Sequence, residues 1–445
     1  MASEFDLVVR GGTLVSSVGR AEADIGISAG TVQAVGDLSG SVARETLDVA
    51  GLHVLPGVID TQVHFREPGL EHKEDIASGS AAAVAGGVTT YFEMPNTDPT
   101  TTDAEALQDK LTRAYGRSWA NYAFFVGGSA ENVEDLDRLE MLEGTPGVKI
   151  FIGSSTGTLL VEDDVLLRRV LEHGVRPCPV HAEDEPRLRE RKKLLGDEPH
   201  VSEHPFVRDA EVARLATERV IKLCDETGRA VHVLHVSTLD ELPLLRQAKR
   251  DGLPITCEVT PQHLTLTDKE YATLGTRAQM NPPIRGEEHR MALWDAVAEG
   301  LFDVIGSDHA PHTLEEKELP YPESPSGMPG VQTLLPVMLD WCSKGALPLE
   351  TVVKMTSETP AGLYGVDGKG RISPGFDADI AIVDLDASFE VNQSWLKAKC
   401  GWSPFEGRIL TGRPVHTLVG GTVCVRDGEL LGEPSGKMVR FLWKS

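Results

Sequence analysis

Along the middle of the chain, short apolar runs alternate with longer stretches that carry apolar residues at helical spacing. Eight runs between Gly57 and Pro311 are almost continuously apolar, as strands buried on both faces should be. They are GVIDTQVH, VTTYFEMPN, NYAFFVGG, GVKIFIG, RPCPVHAED, AVHVLHVS, PITCEVTP and FDVIGSDHAP. The stretch 207–228 is typical of the intervening segments, because its apolar residues share one helical face and it ends at Gly228. Eight strand–helix units predict a (β/α)₈ TIM barrel, although a doubly wound open sheet has the same alternation.

The two ends of the chain have a different pattern. Residues 5–54 and 371–430 contain short β runs that are separated by glycine turns. Two such ends flanking one barrel predict an α/β protein with a small β-sandwich domain formed by both termini. The predicted boundaries are residues 1–54 and 371–445 for the composite sandwich domain, and residues 55–370 for the (β/α)₈ barrel.

Size and charge limit the possible partners. The chain has 445 residues and a mass of 48.1 kDa, which is enough for one large domain and a smaller one. Its 43 basic and 68 acidic residues give a net charge of -25, which disfavours nucleic acid and anionic membranes as partners. No apolar run approaches the ~20 residues of a membrane span, and the N-terminus lacks a secretory signal pattern. The six cysteines form no CxxC pair, which favours reduced thiols and a cytoplasmic location.

Residues that can bind a metal or carry a proton stand where the predicted strands end. They are His64, Lys149, His181, His235 and Asp308, from strands one, four, five, six and eight. A single strand histidine is more often a core or surface residue than a ligand. The lysine is harder to explain in that way, because burying an unpaired ammonium is costly. A barrel builds its active site at the carboxyl ends of its strands, so these side chains are expected to converge.

This constellation resembles the amidohydrolase superfamily, and within it the branch of dihydroorotases, hydantoinases and allantoinases. The resemblance covers essentially the whole chain, and it implies that Lys149 is carbamylated and bridges two zinc ions. It further implies that His181 and His235 bind one ion, and that His64 and Asp308 bind the other. Bound zinc would lower the pKa of a water molecule toward ~7 and polarise a ring amide carbonyl. Asp308 is expected to take the proton of that water and pass it to the leaving ring nitrogen.

One position departs from the superfamily pattern. Where the first strand usually carries HxH, this chain has Gln62, Val63 and His64. A glutamine carbonyl is a weaker zinc donor than imidazole, so Gln62 is a doubtful ligand and one or two zinc ions per chain are expected. The second metal site is weakened, empty or filled only with substrate bound, and the sequence leaves these alternatives open.

Motifs after the first, second and eighth strands indicate which ring is opened. Arg66 in FREPG, Asn96 in MPNT and His312 in SDHAPHTLEEK match the dihydroorotase pattern for binding a substrate carboxylate. Arginine suits this role because its planar fork meets a carboxylate bidentately. Asn281 in MNPP and the loop 327–330 are expected to shape the side that binds the ring. Ordinary roles stay open as well: a surface ion pair for Arg66, a turn for Asn96 and a helix entry for His312.

Three functions are compatible with these residues. The leading prediction is a metal-dependent cyclic amidohydrolase of the dihydroorotase type, which reversibly hydrolyses dihydroorotate to N-carbamoyl-L-aspartate in pyrimidine biosynthesis. The first alternative is a cyclic amidase of the hydantoinase or allantoinase type that retains the Arg66 pocket. The second is a non-catalytic homologue that acts as a scaffold for aspartate transcarbamoylase; Gln62 favours it slightly, whereas the retained Lys149 argues against it. The resemblance implies a homodimer or homotetramer that binds a small cyclic amide.

The remaining histidines carry less information. The polar contexts of His72, His200, His204 and His289 predict solvated side chains. Near the end of the seventh strand, Glu258 and His263 are expected to support the site from behind.

Overall fold

The structure, a computed structural model, describes residues 4–153 and 159–443. The N-terminal part forms five strands: β1 (Glu4–Ser16), β2 (Gly19–Ser28), β3 (Thr31–Gly36), β4 (Val42–Asp48) and β5 (His53–Pro56). In β1, the buried Phe5 and Leu7 alternate with the exposed Glu4 and Asp6, which is the period of a sheet covered on one face. Ala29, with φ +51°, and Gly30, with φ +80°, form the left-handed tight turn between β2 and β3.

Parallel strands follow and form the barrel. They are β6 (Val58–Val63), β7 (Val88–Glu93), β8 (Asn121–Phe124), β9 (Val126–Gly127), β10 (Val148–Phe151), β11 (Cys178–His181), β12 (Val231–Val233), β13 (Ile255–Val259) and β14 (Val304–Ile305). Strands β8 and β9 are two pieces of one barrel strand, interrupted at Phe125. The barrel closes where Val63 forms a parallel bridge with His309, and the His64 N–H donates to the His309 carbonyl oxygen over 2.7 Å. Each predicted apolar run contains one barrel strand, which confirms the (β/α)₈ fold.

Helices connect and surround these strands. They are α1 (Ile76–Ala85), α2 (Ala104–Ala114), α3 (Leu136–Leu139), α4 (Asp164–Glu172), α5 (Glu185–Lys192), α6 (His204–Val207), α7 (Ala210–Thr227), α8 (Leu242–Arg250), α9 (Pro261–Thr265), α10 (Tyr271–Leu274), α11 (Glu287–Glu299), α12 (Leu314–Lys317), α13 (Leu334–Ser343), α14 (Leu349–Val353) and α15 (Thr359–Tyr364). The longest, α7, begins where the Asp209 side chain accepts the Val212 N–H over 3.1 Å. It ends at Gly228, which has φ +71°. The helical prediction for 207–228 is thus confirmed for most of its length.

The other end of the chain completes the terminal sheet. Its strands are β15 (Ile380–Glu390), β16 (Ile409–Val419), β17 (Thr422–Arg426) and β18 (Glu429–Leu430). The sheet has nine strands in the order β18-β17-β16-β15-β5-β1-β2-β3, with β4 paired to β1. Strands β5 and β15, from opposite ends of the sequence, pair antiparallel. Apolar residues from both ends pack in one cluster that includes Leu7, Ile25, Val54, Ile380 and Leu418. The predicted β domain built from both termini is confirmed.

A buried ion-pair cluster joins this sheet to the barrel. Lys369 Nζ lies 2.8 Å from Asp377 Oδ2 and 2.5 Å from Asp379 Oδ2. Asp379 also accepts hydrogen bonds from Asn121 Nδ2 in β8, over 2.9 Å, and from the Gly420 N–H, over 2.7 Å. Because every partner is satisfied, the cluster fixes the two parts relative to each other.

The boundaries proposed between the two parts stay a prediction. Residues 1–3 and 444–445 of the predicted terminal domain lie outside the described residues. Near the C-terminus, Lys437 and Val439 hydrogen-bond to the backbone of Tyr122 in barrel strand β8. Across the described ranges, no helix has the length and apolar character needed to cross a membrane.

Candidate active site

Polar residues at the strand ends surround one small cavity at the carboxyl end of the barrel. It is lined by Gln62, His64, Arg66, Asn96, Lys149, Phe151, His181, His235, Asn281, Asp308, Ala310, Ser326 and Gly327. Its volume of about 20 Å³ is close to that of a single water site. Every predicted site residue lines the cavity except His312, which contacts Arg66. The structure therefore brings the predicted residues together, and their individual roles stay predictions.

Two histidines face each other across this cavity. His181, the last residue of β11, has its Nδ1 2.9 Å from Nε2 of His235, which follows β12. His181 Nε2 lies 3.0 Å from Glu183 Oε2, and Arg208 pairs with the same carboxylate. Burial alone would raise the pKa of Glu183, but the neighbouring Arg208 and His181 lower this pKa to about 2. The ionised carboxylate only accepts, so His181 Nε2 carries the proton and Nδ1 is an acceptor. Metal-binding histidines are usually held in this way.

Lys149 lies in β10 with its amine fully buried. Its Nζ donates to the Ile150 carbonyl oxygen over 2.9 Å and lies 4.1 Å from the centroid of the Phe151 ring. No carboxylate in the described part of the chain approaches the amine to within 4.0 Å. Burial lowers the pKa of Lys149 to about 7, so much of the amine is uncharged at neutral pH.

Gln62 and His64 both contact Asp308. Gln62 Nε2 donates to Asp308 Oδ1 over 3.0 Å, and His64 Nε2 lies 3.3 Å from the same oxygen. His64 Nδ1 lies 2.7 Å from Asn96 Oδ1, so the proton of His64 is on Nδ1 and its Nε2 is a lone pair. Burial raises the pKa of Asp308 to about 7 and lowers that of His64. Two acceptor atoms as close as His64 Nε2 and Asp308 Oδ1 repel unless a proton or a cation lies between them.

Three residues of the cavity wall have a left-handed backbone, which is uncommon in residues with a Cβ. The φ angles are +67° at Arg66, +37° at His235 and +44° at Asp308. Each such residue costs ~1–3 kcal/mol, and residues of this kind cluster at functional sites. The backbone conformation therefore indicates a functional site at this rim of the barrel, independently of the chemistry of the side chains.

Nitrogen donors gather on one side of the cavity. Arg66 Nε donates to the Pro311 carbonyl oxygen over 3.1 Å, and its Nη2 lies 3.2 Å from His312 Nε2. His312 Nε2 is 3.1 Å from the Ser326 carbonyl oxygen, and Lys73 Nζ is 3.1 Å from His312 Nδ1. A carbonyl can only accept, so Nε2 carries the proton of His312 and, like Arg66 Nη2, is a donor. Burial lowers the pKa of Arg66 only to about 10, so it stays charged.

Comparisons with known proteins agree with this geometry. Residues 53–424 match the Amidohydrolase family. The chain belongs to this family. Similar proteins include a dihydroorotase from Methanosarcina acetivorans, 37% identical over 93% of this chain and 90% of that protein. An allantoinase from Rubrobacter xylanophilus is 36% identical over 98% of both proteins. The solved structure of an L-hydantoinase (dihydropyrimidinase) from Arthrobacter aurescens has a TM-score of 0.92 and 33% identity, covering 98% of this chain and 99% of that one.

The match to the Amidohydrolase family establishes the class of reaction but not which cyclic amide is hydrolysed. The relatives are hydrolases that act on cyclic amides, and so is this protein. Three different ring specificities occur among relatives of nearly equal identity, so overall similarity does not choose between them. Members of the superfamily generally bind metal ions.

The residues of this amidohydrolase fit a cation, although they are not arranged as a finished site. Across the described ranges, no three His, Cys, Asp or Glu side chains are grouped to hold a metal. Two buried atoms, Gln62 Oε1 and His235 Nδ1, have no hydrogen-bond partner within the described part. A bound cation would satisfy these two acceptors. It would also remove the repulsion between His64 Nε2 and Asp308 Oδ1.

Two further residues of this amidohydrolase contact the predicted site residues and were not predicted from the sequence. Lys73 is buried beside His312, and Glu183 is buried beside His181. Glu183 could have been found from the HAED motif, in which a carboxylate follows the strand histidine by two residues. The prediction of a solvated His204 is wrong, since its side chain is buried against residues distant in sequence. His72 and His200 are exposed as predicted, and His289 is half-buried.

Below the cavity, Glu258 is fully buried, and its Oε2 accepts the Thr61 hydroxyl over 3.1 Å. His263 is buried as well and lies at α9, bonded to Thr260 and to the Pro282 carbonyl oxygen. Neither side chain lines the cavity itself. Their supporting role stays a prediction.

Lys317 braces the loops that carry two of the cavity residues. Its buried Nζ donates to the carbonyl oxygens of Gln279, Pro325 and Gly327, over 3.1, 2.7 and 3.1 Å. A single ammonium with three donors thus holds the segment before Asn281 against the loop that contains Ser326. Gly327, with φ +139°, passes so close to Ala310 that a Cβ would lie 2.4 Å from the Ala310 carbonyl oxygen.

Proposed function

We propose that this amidohydrolase is a dihydroorotase that reversibly hydrolyses dihydroorotate to N-carbamoyl-L-aspartate. The observation that carries the proposal is the buried Arg66, which is 1% exposed beside the cavity. None of the described residues places a carboxylate within 4.0 Å of this guanidinium. A buried cation without an anion is costly, and a substrate carboxylate would supply the missing partner.

His312 and Asn96 complete the proposed carboxylate pocket. His312 Nε2 lies 3.2 Å from Arg66 Nη2 and 3.1 Å from the Ser326 carbonyl oxygen, and a substrate carboxylate placed against Arg66 would compete with that carbonyl for the Nε2–H. Asn96, whose Oδ1 is bonded to His64, lines the same cavity as Arg66. Lys73 bonds His312 Nδ1 and pairs with Glu316, which keeps the proton of His312 on Nε2.

We propose that a carbamylated Lys149 and His181, His235, His64 and Asp308 hold one or two zinc ions. Zinc, when bound, polarises the ring amide carbonyl and lowers the pKa of water toward ~7. The uncharged amine of Lys149 is the form that adds to carbon dioxide: an N–C bond forms, one proton leaves, and the product is an anion. That change converts a buried cation into a ligand for a cation.

Asp308 is proposed to move the proton during ring opening. Its side chain lines the cavity, where a water attacking the amide carbonyl would also lie. Oδ1 takes a proton from that water and returns it to the ring nitrogen as the C–N bond breaks. A carboxyl whose pKa is raised to about 7 by burial is suited to both steps near neutral pH.

Arg66 provides the test of substrate class. Arg66→Met is expected to weaken the binding of a carboxylate-bearing ring by ~2–4 kcal/mol, because the carboxylate is left without its charged partner. An uncharged hydantoin should be affected little, and it serves as the internal control. Steady-state kinetics with both rings, on wild type and variant, measures the difference.

A hydantoinase or allantoinase is the second candidate, favoured by the 0.92 TM-score to the L-hydantoinase structure and by the allantoinase relative. Equal losses on both rings in Arg66→Met, or wild-type turnover of hydantoin above that of dihydroorotate, would select this candidate. A dimer or tetramer and a transcarbamoylase partner stay predictions.

Gln62 is expected to limit the number of tightly bound metals to fewer than two per chain. A neutral amide is a weaker ligand than imidazole, and the amide nitrogen of Gln62 is already bonded to Asp308. Gln62→His should raise metal stoichiometry and tighten the weaker site. Elemental analysis of both proteins after dialysis against a mild chelator measures this. If both retain two metals equally, Gln62 is an adequate ligand or its neighbours compensate.

A further inference from the structure

His204 lies behind the cavity wall rather than in solvent. It begins α6 and is 4% exposed. Beside it opens a second cavity of about 550 Å³, which Arg208 and Tyr321 also line. Asn281 and Ser326 line both this cavity and the small one at the strand ends. His204 therefore lines the larger cavity beside Asn281, which separates it from the small one.

Hydrogen bonds determine which nitrogen of His204 carries its proton. Nε2 lies 3.0 Å from the Met280 carbonyl oxygen and 3.0 Å from Asn281 Oδ1, while Nδ1 lies 3.4 Å from the Tyr321 hydroxyl. A backbone carbonyl can only accept, so Nε2 must be the N–H. Burial lowers the pKa of His204 to about 3, so the ring is neutral and Nδ1 accepts from Tyr321.

This tautomer fixes the orientation of the Asn281 amide. The atom that faces the His204 N–H must be the acceptor Oδ1, because the amide NH₂ would face another donor. The Nδ2 group of Asn281 is then turned away from His204, and Asn281 is part of the small cavity's wall. Without His204, the amide could rotate by half a turn and present its oxygen instead. His204 thus makes this wall a donor.

We propose that His204 is a positioning residue that holds Asn281 as a hydrogen-bond donor to a carbonyl oxygen of the substrate ring. The proposal rests on the function proposed above and names the part of the ring that this wall recognises. The attacked carbonyl must face Lys149 and Asp308, and the substrate carboxylate must face Arg66. The oxygen left over on dihydroorotate is that of the carbonyl between its two ring nitrogens, and the geometry assigns it to Asn281.

The assignment makes a statement about specificity. A ring that carries an amino or imino N–H at this place would set a donor against the Asn281 donor and be rejected. A thiocarbonyl there accepts hydrogen bonds weakly, so a 2-thio ring should gain little from Asn281. The ratio of kcat/KM for the 2-oxo and 2-thio rings therefore reports whether the donor is in place.

The experiment measures this ratio for the metal-loaded wild type, His204→Leu and His204→Gln. Leucine removes the N–H, whereas the glutamine amide carries an N–H at a similar distance from the backbone. His204→Leu should lower kcat/KM about tenfold on dihydroorotate, mainly through KM, and less than about threefold on its 2-thio analogue. His204→Gln should keep the wild-type ratio. His416→Leu, a buried histidine of the terminal sheet, is the matched control and should change neither value.

Two results would overturn the proposal. Equal losses on the oxo and thio rings in His204→Leu would mean that His204 only supports the fold. A His204→Gln enzyme that behaves like the leucine variant would mean that the N–H is not what matters. If the leucine variant does not fold, His204→Asn replaces it, because its shorter amide does not reach Asn281.

The design separates this inference from the proposed function. A wild type that opens hydantoin but not dihydroorotate removes the dihydroorotase proposal. The same comparison then runs with hydantoin and 2-thiohydantoin, which carry an oxygen and a sulfur, respectively, on the carbon between their two ring nitrogens. A ratio that collapses only in His204→Leu would still support the role of His204, and an unchanged ratio would refute it.

Discussion

Lys149→Ala is expected to lose its bound metal and at least ~10³-fold of its turnover. Removing a single group that stabilises charge on a reacting carbonyl costs ~10²–10³-fold by itself. Lys149 is proposed to be a ligand of every metal ion held at the site, so its loss removes the ions as well as one anionic group. Alanine leaves His181 and His235 in place, but their rings are already hydrogen-bonded to each other. Elemental analysis and dihydroorotate turnover, measured on the same sample, check both parts of the expectation.

Rescue and a matched control sharpen the Lys149 result. Short carboxylic acids fit the space left by the side chain and should restore part of both metal content and turnover. Lys110→Met removes another fully buried lysine, whose Nζ lies 3.3 Å from Glu93 Oε2. Neither Lys110 nor Glu93 lines the cavity. That variant should be less stable, but it should keep its metal. Full metal content in Lys149→Ala would remove the residue from the metal site.

Asp308→Asn is expected to lower kcat by at least ~10²-fold. Asparagine preserves the shape of the side chain but cannot take a proton at Oδ1. The loss should persist when the variant is fully loaded with metal, since the missing function is proton transfer. Single-turnover kinetics on metal-loaded protein measures it, and metal content is recorded in parallel because Asp308 is also a proposed ligand.

Asp340→Asn controls for the loss of a buried carboxylate far from the cavity. Asp340 pairs with Lys344 and accepts the Thr411 N–H, so its replacement should affect stability and leave kcat near that of the wild type. Near-normal kcat in Asp308→Asn would show that another group moves the proton.

The fold was predictable because each barrel strand is buried on both faces. Every residue of β6 and β7 is buried, so the strands appear in the sequence as continuous runs. The strand ends were predictable for the same reason, and this placed His64, His181 and Asp308 on one rim. The terminal sheet followed from alternation, as in the first residues of β1.

Long-range contacts account for what the sequence did not predict. His204 sits in a polar stretch, yet Met280 and Tyr321, far along the chain, bury it. Lys73 contacts His312 across an even longer separation. The bonding of Gln62 to Asp308 through its amide nitrogen likewise depends on how the barrel closes. No local pattern encodes such partners, because they are set by which strands become neighbours.

The pairing of β5 with β15 affects the order in which the chain can fold during synthesis. Ile380 pairs with Pro56, so the outer edge of β5 stays open until roughly 300 further residues have left the ribosome. That edge carries Val54 and Leu55, and an open apolar edge strand can pair with other chains. The barrel strands, by contrast, find most partners in the next strand made. The open edge of β5 is therefore among the last parts of the terminal sheet to reach its final neighbour, and until then it is exposed to pairing with other chains.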